Sequence, residues 1–332
     1  MGGCGIGFPD LISFLTLYST SLYSPIVPAL QYVSLGIEKY GIENVTFIIA
    51  CYKENDANVT CKDIGDAISS DMSSLTVYIN TVKAVCAPIF VVLLGGYSDA
   101  VGKKFAINTV LFVNIVWCIV ILFNTIFLTG YPSWMYVLAN GFILGVNGGS
   151  TFTVNNFLTG YLSISTPPSK QTGRFSLLLG FGLLGFVLGP VTSGLVLRVT
   201  TKYWIIGALS VSLMFIAMII GIFCLKPIEN KPGIAANVQQ TGFFDSFVKA
   251  MKFQYHNTID LFKYQSFLGK FLGANFMYML GSVGLISPIV VLSQVYLLAA
   301  PFKWTTSSRG YFSTGKSSVL LLVNHSSSCL II

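Results

Sequence analysis

Apolar residues fall in long blocks along this chain, separated by short polar connections. Seven blocks reach the length of about 20 residues that a helix needs to cross about 30 Å of hydrocarbon. They cover roughly residues 7–33, 74–97, 105–128, 134–161, 174–199, 204–225 and 266–298. Backbone groups in lipid must be satisfied within their own segment, so each block is read as a helix. Pro25, Pro28, Pro88, Pro190 and Pro288 lie inside or at the ends of these blocks and predict kinks.

Composition narrows the reading. The chain has 332 residues, 54% of them hydrophobic and 9% charged, with a mean hydropathy of +0.75. Soluble domains carry about 25% charged residues, so a water-soluble enzyme of this length is excluded. Disorder is excluded as well, because 26 Phe and 16 Tyr are far too many aromatics for a disordered chain. The fold class expected is an all-α polytopic membrane protein.

The polar connections set the topology. Residues 34–72 are rich in acids and hold two glycosylation sequons, at Asn44 and Asn58, and two cysteines, Cys51 and Cys61. Such a loop belongs on an extracellular or lumenal face. Cys51 and Cys61 can pair with each other or with other cysteines. Lys103 and Lys104 in the next connection place it in the cytoplasm. The long connection 226–265 carries five lysines against three acids and faces the same side, as does the N-terminus. Arg198 and Lys202 fall on the opposite side, against the charge rule. Within 226–265, Phe244, Phe247, Val248, Met251, Tyr255, Ile259 and Phe262 recur at helical steps, an amphipathic helix. The organisation expected is therefore six spans over 1–225, a cytoplasmic linker over 226–265, and a seventh span with an atypical tail over 266–332.

The net charge of +7 sits in loops and at span ends. No basic stripe interleaves with aromatics, so no nucleic-acid partner is expected. No Cys/His cluster, nucleophile triad or phosphate loop occurs; no metal, cofactor or enzymatic activity is expected. The partners expected are the lipid bilayer and a small-molecule solute.

Polar groups inside spans are the candidates for function. Lys83 lies about ten residues into the second block, where a cation costs about 2.5–3.5 kcal/mol. It must meet a wet cavity, an acid or the outer head groups, and an anionic solute suits it. Asn147, Asn155 and Asn156 in the fourth block, and Asn114 in the third, either contact solute or bridge helices. Asp10 is the only carboxylate embedded in a block.

Two motifs add specificity. Gly95-Gly96-Tyr97-Ser98-Asp99-Ala100-Val101-Gly102-Lys103-Lys104 follows the second block. Its glycines allow close helix approach, Asp99 can cap the next helix, and the lysines anchor at head groups. In the fifth block, Gly182, Gly185 and Gly189, followed by Pro190, form one small-residue face for a partner helix.

The first motif resembles the loop between helices two and three of the major facilitator superfamily, and the second resembles that superfamily's glycine-proline motif of helix five. With Gly145-Val146-Asn147-Gly148-Gly149-Ser150, Gly173-Arg174-Phe175, Pro301-Phe302-Lys303-Trp304 and Gly310-Tyr311-Phe312, the chain resembles the proton-coupled folate transporter family, solute carrier family 46. That resemblance implies a twelve-helix carrier in two six-helix halves, of which this sequence reaches just inside helix eight. It implies alternating access for a folate-like or other organic anion, with Gly95, Asp99, Gly102, Lys103 and Lys104 as a conformational latch. It also implies a glycoprotein of the plasma membrane or an endolysosomal membrane. The family's acids near the end of helix four and in helix five are replaced here by Ile164 and Leu179, which leaves the coupling ion open. The competing readings are a seven-helix receptor and a non-transporting truncated fragment.

Overall fold

A computed structural model describes residues 7–41, 59–127, 132–149, 151–200 and 202–227. The expected linker helix, seventh span and tail lie outside these residues, as do Asn44, Asn58 and Cys51. So do the side chains of Cys61 and Asp99.

The described residues form an all-helical bundle. In chain order the helices are α1 (Phe8–Ser21), α2 (Ile26–Tyr40), α3 (Val59–Val101) and α4 (Lys103–Ile126). Then follow α5 (Trp134–Val146), α6 (Thr153–Ser165), α7 (Pro168–Thr200) and α8 (Tyr203–Phe223). Among the described residues, four stretches are uninterrupted, apolar and long enough to cross a membrane: Ile64–Gly95, Lys103–Ile126, Pro168–Thr200 and Tyr203–Phe223. The first and fourth expected spans are each divided. Residues Leu22–Pro25 separate α1 from α2, and Asn147–Phe152 separate α5 from α6.

Packing supports reading each divided pair as one crossing. Along α7, α1 is matched from Arg174 to Thr192, and Leu22, Ile26 and Leu30 then carry the contact on to Leu197. Along α4, Asn140 meets Trp117, Asn147 meets Asn114, and Leu158 packs with Ile107 and Val110. The order descends on one helix as it ascends on the other, so α5 and α6 together run antiparallel to α4.

Several expectations are corrected. The segment 34–72 is not all loop: α2 continues to Tyr40 and α3 begins at Val59. Tying these extensions together, Lys39 Nζ lies 2.7 Å from Asp71 Oδ2. This hydrogen bond holds the Lys39 ammonium charged above the usual lysine range. Glu38 accepts a hydrogen bond from Ser133 N at the start of α5 (3.2 Å), and Ser34 Oγ lies 3.0 Å from Tyr136 Oη. Pro88 and Pro190 lie inside continuous helices, and a kink there is compatible with that. Neighbouring helices re-satisfy the backbone groups that a proline frees. Among the described residues, a β-carbon on Gly95 would meet nothing within 4 Å.

The core has no single centre. One apolar cluster joins Ile12 and Leu15 of α1 to Ile107, Val154, Leu158 and Leu178. A second gathers Tyr23, Trp117, Cys118, Ile121 and Met214. Between α1 and α8, Ser19 and Ser210 each donate a hydroxyl hydrogen bond to the other's carbonyl at 2.9 Å. Tyr23 Oη donates to the carbonyls of Cys118 (3.0 Å) and Gly207 (3.3 Å). These bonds satisfy polar groups that lipid cannot satisfy.

Candidate functional site: the break in the fourth crossing

The fourth crossing is irregular before it breaks. Val137–Ile143 form a wide π-helical stretch, and α5 then ends at Val146. Gly148 and Gly149 follow with φ of +85° and +75°, a backbone conformation that glycine alone adopts at little cost. Their N–H groups turn back to the carbonyls of Gly145 and Leu144 at 2.9 Å and 2.7 Å. The next helix, α6, opens at Thr153 with no side-chain cap. Its first-turn N–H groups lack intrahelical partners and carry the positive end of the helix dipole.

Helix α3 packs against this break. A β-carbon on Gly145 would lie 2.7 Å from Cys86 Cβ, and one on Gly149 would lie 2.7 Å from Ala87 Cβ and 3.7 Å from Lys83 Cγ. The missing side chains thus let the stem of Lys83 lie along Gly149. Lys83 is partly buried. It stands about 18 Å along α3 from Asp71 at a helical rise of about 1.5 Å per residue. Among the described residues it has no ion-pair partner.

The asparagines divide between two places. Asn147 lies at the break and donates its amide to Asn114 Oδ1 of α4 at 2.8 Å, and both residues are fully buried. One atom of each amide has no partner among the described residues, Asn147 Oδ1 and Asn114 Nδ2. Asn155 faces elsewhere. A β-carbon on Gly182 would lie 2.8 Å from Asn155 Nδ2 and 2.5 Å from Ser13 Oγ, so Asn155 sits over the glycine face of α7, towards α1. Asn156 is exposed. The structure therefore brings Lys83, Gly149 and Asn147 to the break and sends Asn155 to the α1–α7 seam.

The glycine face of α7 lies against α1. Gly182 lies against Ser13 and Leu17, Gly185 against the main chain of Phe14 and Tyr18, and Gly189 against Ser21. Pro190 is buried beside it. Ser13 Oγ donates to Leu178 O (3.3 Å), Ser21 Oγ to Gly185 O (3.3 Å), and Tyr18 Oη to Thr192 Oγ1 (2.9 Å). Contacts rise together in number on both helices, so α1 and α7 run parallel.

At one end of this seam stands a pair that the sequence reading did not join. Arg174 Nη2 lies 3.0 Å from Asp10 Oδ2. Gly7 N donates to the same oxygen at 2.7 Å, so Asp10 also caps α1. Asp10 is fully buried, and its second oxygen, Oδ1, has no hydrogen-bond partner among the described residues. Parallel first and fifth crossings, each opening with a charge of opposite sign, were the signal available in sequence.

The expected latch residues form a tight corner. Only Gly102 separates α3 from α4, at φ 125° and ψ 146°. Lys103 Nζ donates to Ser98 Oγ at 3.0 Å across that corner. The Lys103 stem approaches Gly160 of α6, 3.9 Å from where a β-carbon would stand. Among the described residues no group of His, Cys, Asp or Glu is placed to hold a metal ion.

No family model matches the chain. A curated relative, the MFS-type transporter avaJ of Aspergillus versicolor, is 22% identical over 254 residues, covering 71% of this chain and 46% of the relative. The chain thus spans about half the length of the curated relative it matches. The similarity is to the major facilitator superfamily at large, and it accords with an integral, all-helical membrane protein.

Proposed function

We propose that this chain carries a small organic anion across a membrane by alternating access. The observation that carries the reading is Lys83: a cation part-way along an apolar helix, without an ionic partner among the described residues, lying against a broken helix. Embedding such a charge costs about 2.5–3.5 kcal/mol, and intramembrane cations pair or mark a solute path. Broken helices whose positive half-helix ends point at anionic substrate groups are a recurring device of secondary carriers. The likeness to an MFS-type transporter supports a transporter in general.

In this reading, residues 1–225 are the first six-helix half, 226–265 are a cytoplasmic linker, and 266–332 begin the second half. Lys83 and Asn147 meet the solute, while Asn155 sits in the α1–α7 seam. Gly95, Asp99, Gly102, Lys103 and Lys104 latch the cytoplasmic side.

Counterflow tests the proposal. The full chain in proteoliposomes preloaded with unlabelled benzoate or succinate is expected to take up the labelled acid faster than empty liposomes. Lys83→Ala is expected to raise the half-saturating concentration about tenfold or more, because a hydrogen bond to a charged group is worth about 1.5–3 kcal/mol. Unchanged affinity in Lys83→Ala removes this residue from the site, and uptake no faster than in empty liposomes for either probe removes the anion-carrier reading.

A further inference from the structure

Three Ser-Pro or Thr-Pro steps occur in the chain, at Ser24, Thr166 and Ser287. Ser24 lies at the break in the first crossing, and Ser287 lies in the seventh apolar block. Thr166 alone stands in a polar connection, the short one that joins α6 to α7. Its backbone is extended, with φ −116° and ψ 134°, because the ring of Pro167 keeps the preceding residue out of the helical region. Pro168 then opens α7 at the position where a missing N–H costs nothing. Ser165, Pro167, Pro168, Ser169 and Lys170 are exposed, and Thr166 is partly exposed. Nearby polar groups hold the main chain of the connection. Ser163 Oγ donates to Gly160 O at 2.8 Å, and Gln171 Nε2 donates to the carbonyls of Ser163 and Thr166 at 2.7 Å and 3.1 Å. None of these bonds uses the Thr166 hydroxyl.

The packing also gives this connection a side of the membrane. Helix α6 runs antiparallel to α4, and the Lys103 stem at the start of α4 lies 3.9 Å from where a β-carbon of Gly160 would stand. The end of α6 therefore shares a face with the Lys103–Lys104 corner, and two adjacent lysines put that face in the cytoplasm. We infer that Thr166 is a phosphorylation site for a proline-directed protein kinase. The inference rests on the cytoplasmic placement and on no particular solute. In the reaction the kinase's base takes the hydroxyl proton and Thr166 Oγ1 attacks the γ-phosphorus of ATP. An Oγ1–P bond forms, the bond from that phosphorus to the bridging oxygen breaks, and ADP leaves. A kinase groove takes its acceptor in an extended chain, the form Thr166 already has, and the proline after it supplies the missing N–H that such a kinase selects. The product suits its surroundings. A phosphate brings a charge of about −1.5 to −2. Here it stands just before the positive end of α7, a helix of 33 residues, and four positions from the exposed Lys170. No Asp or Glu occurs between residues 100 and 228, so no like charge flanks it in sequence.

Phosphopeptide mapping of the full chain tests this. The detergent-purified chain is incubated with ATP and a proline-directed kinase, and its peptides are read by mass spectrometry. Phosphate is expected on Thr166 of the native chain and on the serine of Thr166→Ser, and is expected to be lost from this position in Pro167→Ala. A kinase that selects basic residues instead of proline is expected to leave Thr166 of the native chain unmodified, a comparison that needs no variant to fold. The chain isolated from expressing cells with phosphatases blocked is expected to carry the same phosphopeptide, and a lumenal connection would carry none. No phosphate on Thr166 of the folded native chain overturns the inference. So does equal modification by the two kinases, undiminished modification of Pro167→Ala, or absence of the phosphopeptide from cells. None of these readouts involves transport, so failure of the carrier reading leaves them to be judged by themselves.

Discussion

Gly185 of α7 lies so close to the main-chain oxygen of Phe14 on α1 that a methyl group at this glycine would overlap it. Two helices can come into such contact only where one of them lacks side chains, and the gain is dispersion and polar contact that lipid cannot supply. Gly185→Ala is therefore expected to force the helices apart and to destabilise the bundle by about 1–3 kcal/mol. Gly180 on the same helix provides the contrast, because a β-carbon there meets nothing within 4 Å among the described residues. Gly180→Ala is expected to be neutral or stabilising by up to about 1 kcal/mol. Thermal unfolding of the detergent-purified chain, followed by fluorescence, separates the two. Equal effects would show that the glycine face is not the contact surface.

Gly102 turns the chain from α3 into α4 in a single residue at φ 125°. A side chain in that region costs about 1–3 kcal/mol. Gly102→Ala should lower the melting temperature accordingly, whereas Gly95→Ala should not, since a β-carbon on Gly95 meets nothing within 4 Å among the described residues. If the latch role of this corner is right, Gly102→Ala also changes solute uptake, because the corner tethers Lys103 to Ser98 at 3.0 Å.

What the sequence made legible, and what it hid, divides along a physical line. Long apolar blocks are set by local composition, so the helices of the first six could be read directly. The small-residue face of Gly182, Gly185 and Gly189 is periodic and was equally plain. Breaks were harder. Pro25 and Pro28 suggested a kink, and the interruption at 22–25 ends on Pro25, but the fourth block parts at two adjacent glycines with no proline. The acidic content of 34–72 read as loop, yet its flanks are helical, because polar residues at a membrane surface can continue a helix once tertiary contacts such as Lys39–Asp71 support it. The Asp10–Arg174 pair joins residues 164 positions apart, and its formation depends on which crossings are neighbours. Asn147 and Asn155 looked equivalent, yet helix rotation sends one towards α4 and the other towards α1 and α7.

The Asn114–Asn147 hydrogen bond offers a measurable coupling. It is 2.8 Å long between two fully buried side chains on α4 and at the break. Interhelical bonds of this kind are worth about 0.6 kcal/mol on average and about 1.7 kcal/mol at most. Either single alanine variant leaves an amide stranded, with a penalty of about 1–3 kcal/mol. The double variant should therefore cost less than the sum of the singles. Additive losses would mean that the amides do not interact.

Lys83 allows stability and function to be driven in opposite directions. Its ammonium sits in an apolar helix without an ionic partner among the described residues, an arrangement kept at a cost of up to about 2.5–3.5 kcal/mol. Lys83→Met retains the stem that lies along Gly149, 3.7 Å from a β-carbon there, and removes the charge. The variant should melt at a higher temperature than the native chain, because an embedded cation has been replaced by an apolar group of similar length. It should at the same time bind an anionic solute more weakly, since the positive charge of Lys83 has gone. Melting curves with and without benzoate or succinate report both effects in one experiment: the native chain gains stability from added solute and Lys83→Met gains less. A lower melting temperature in Lys83→Met without solute would mean that the ammonium already has a partner within the fold, and its assignment to solute would be withdrawn.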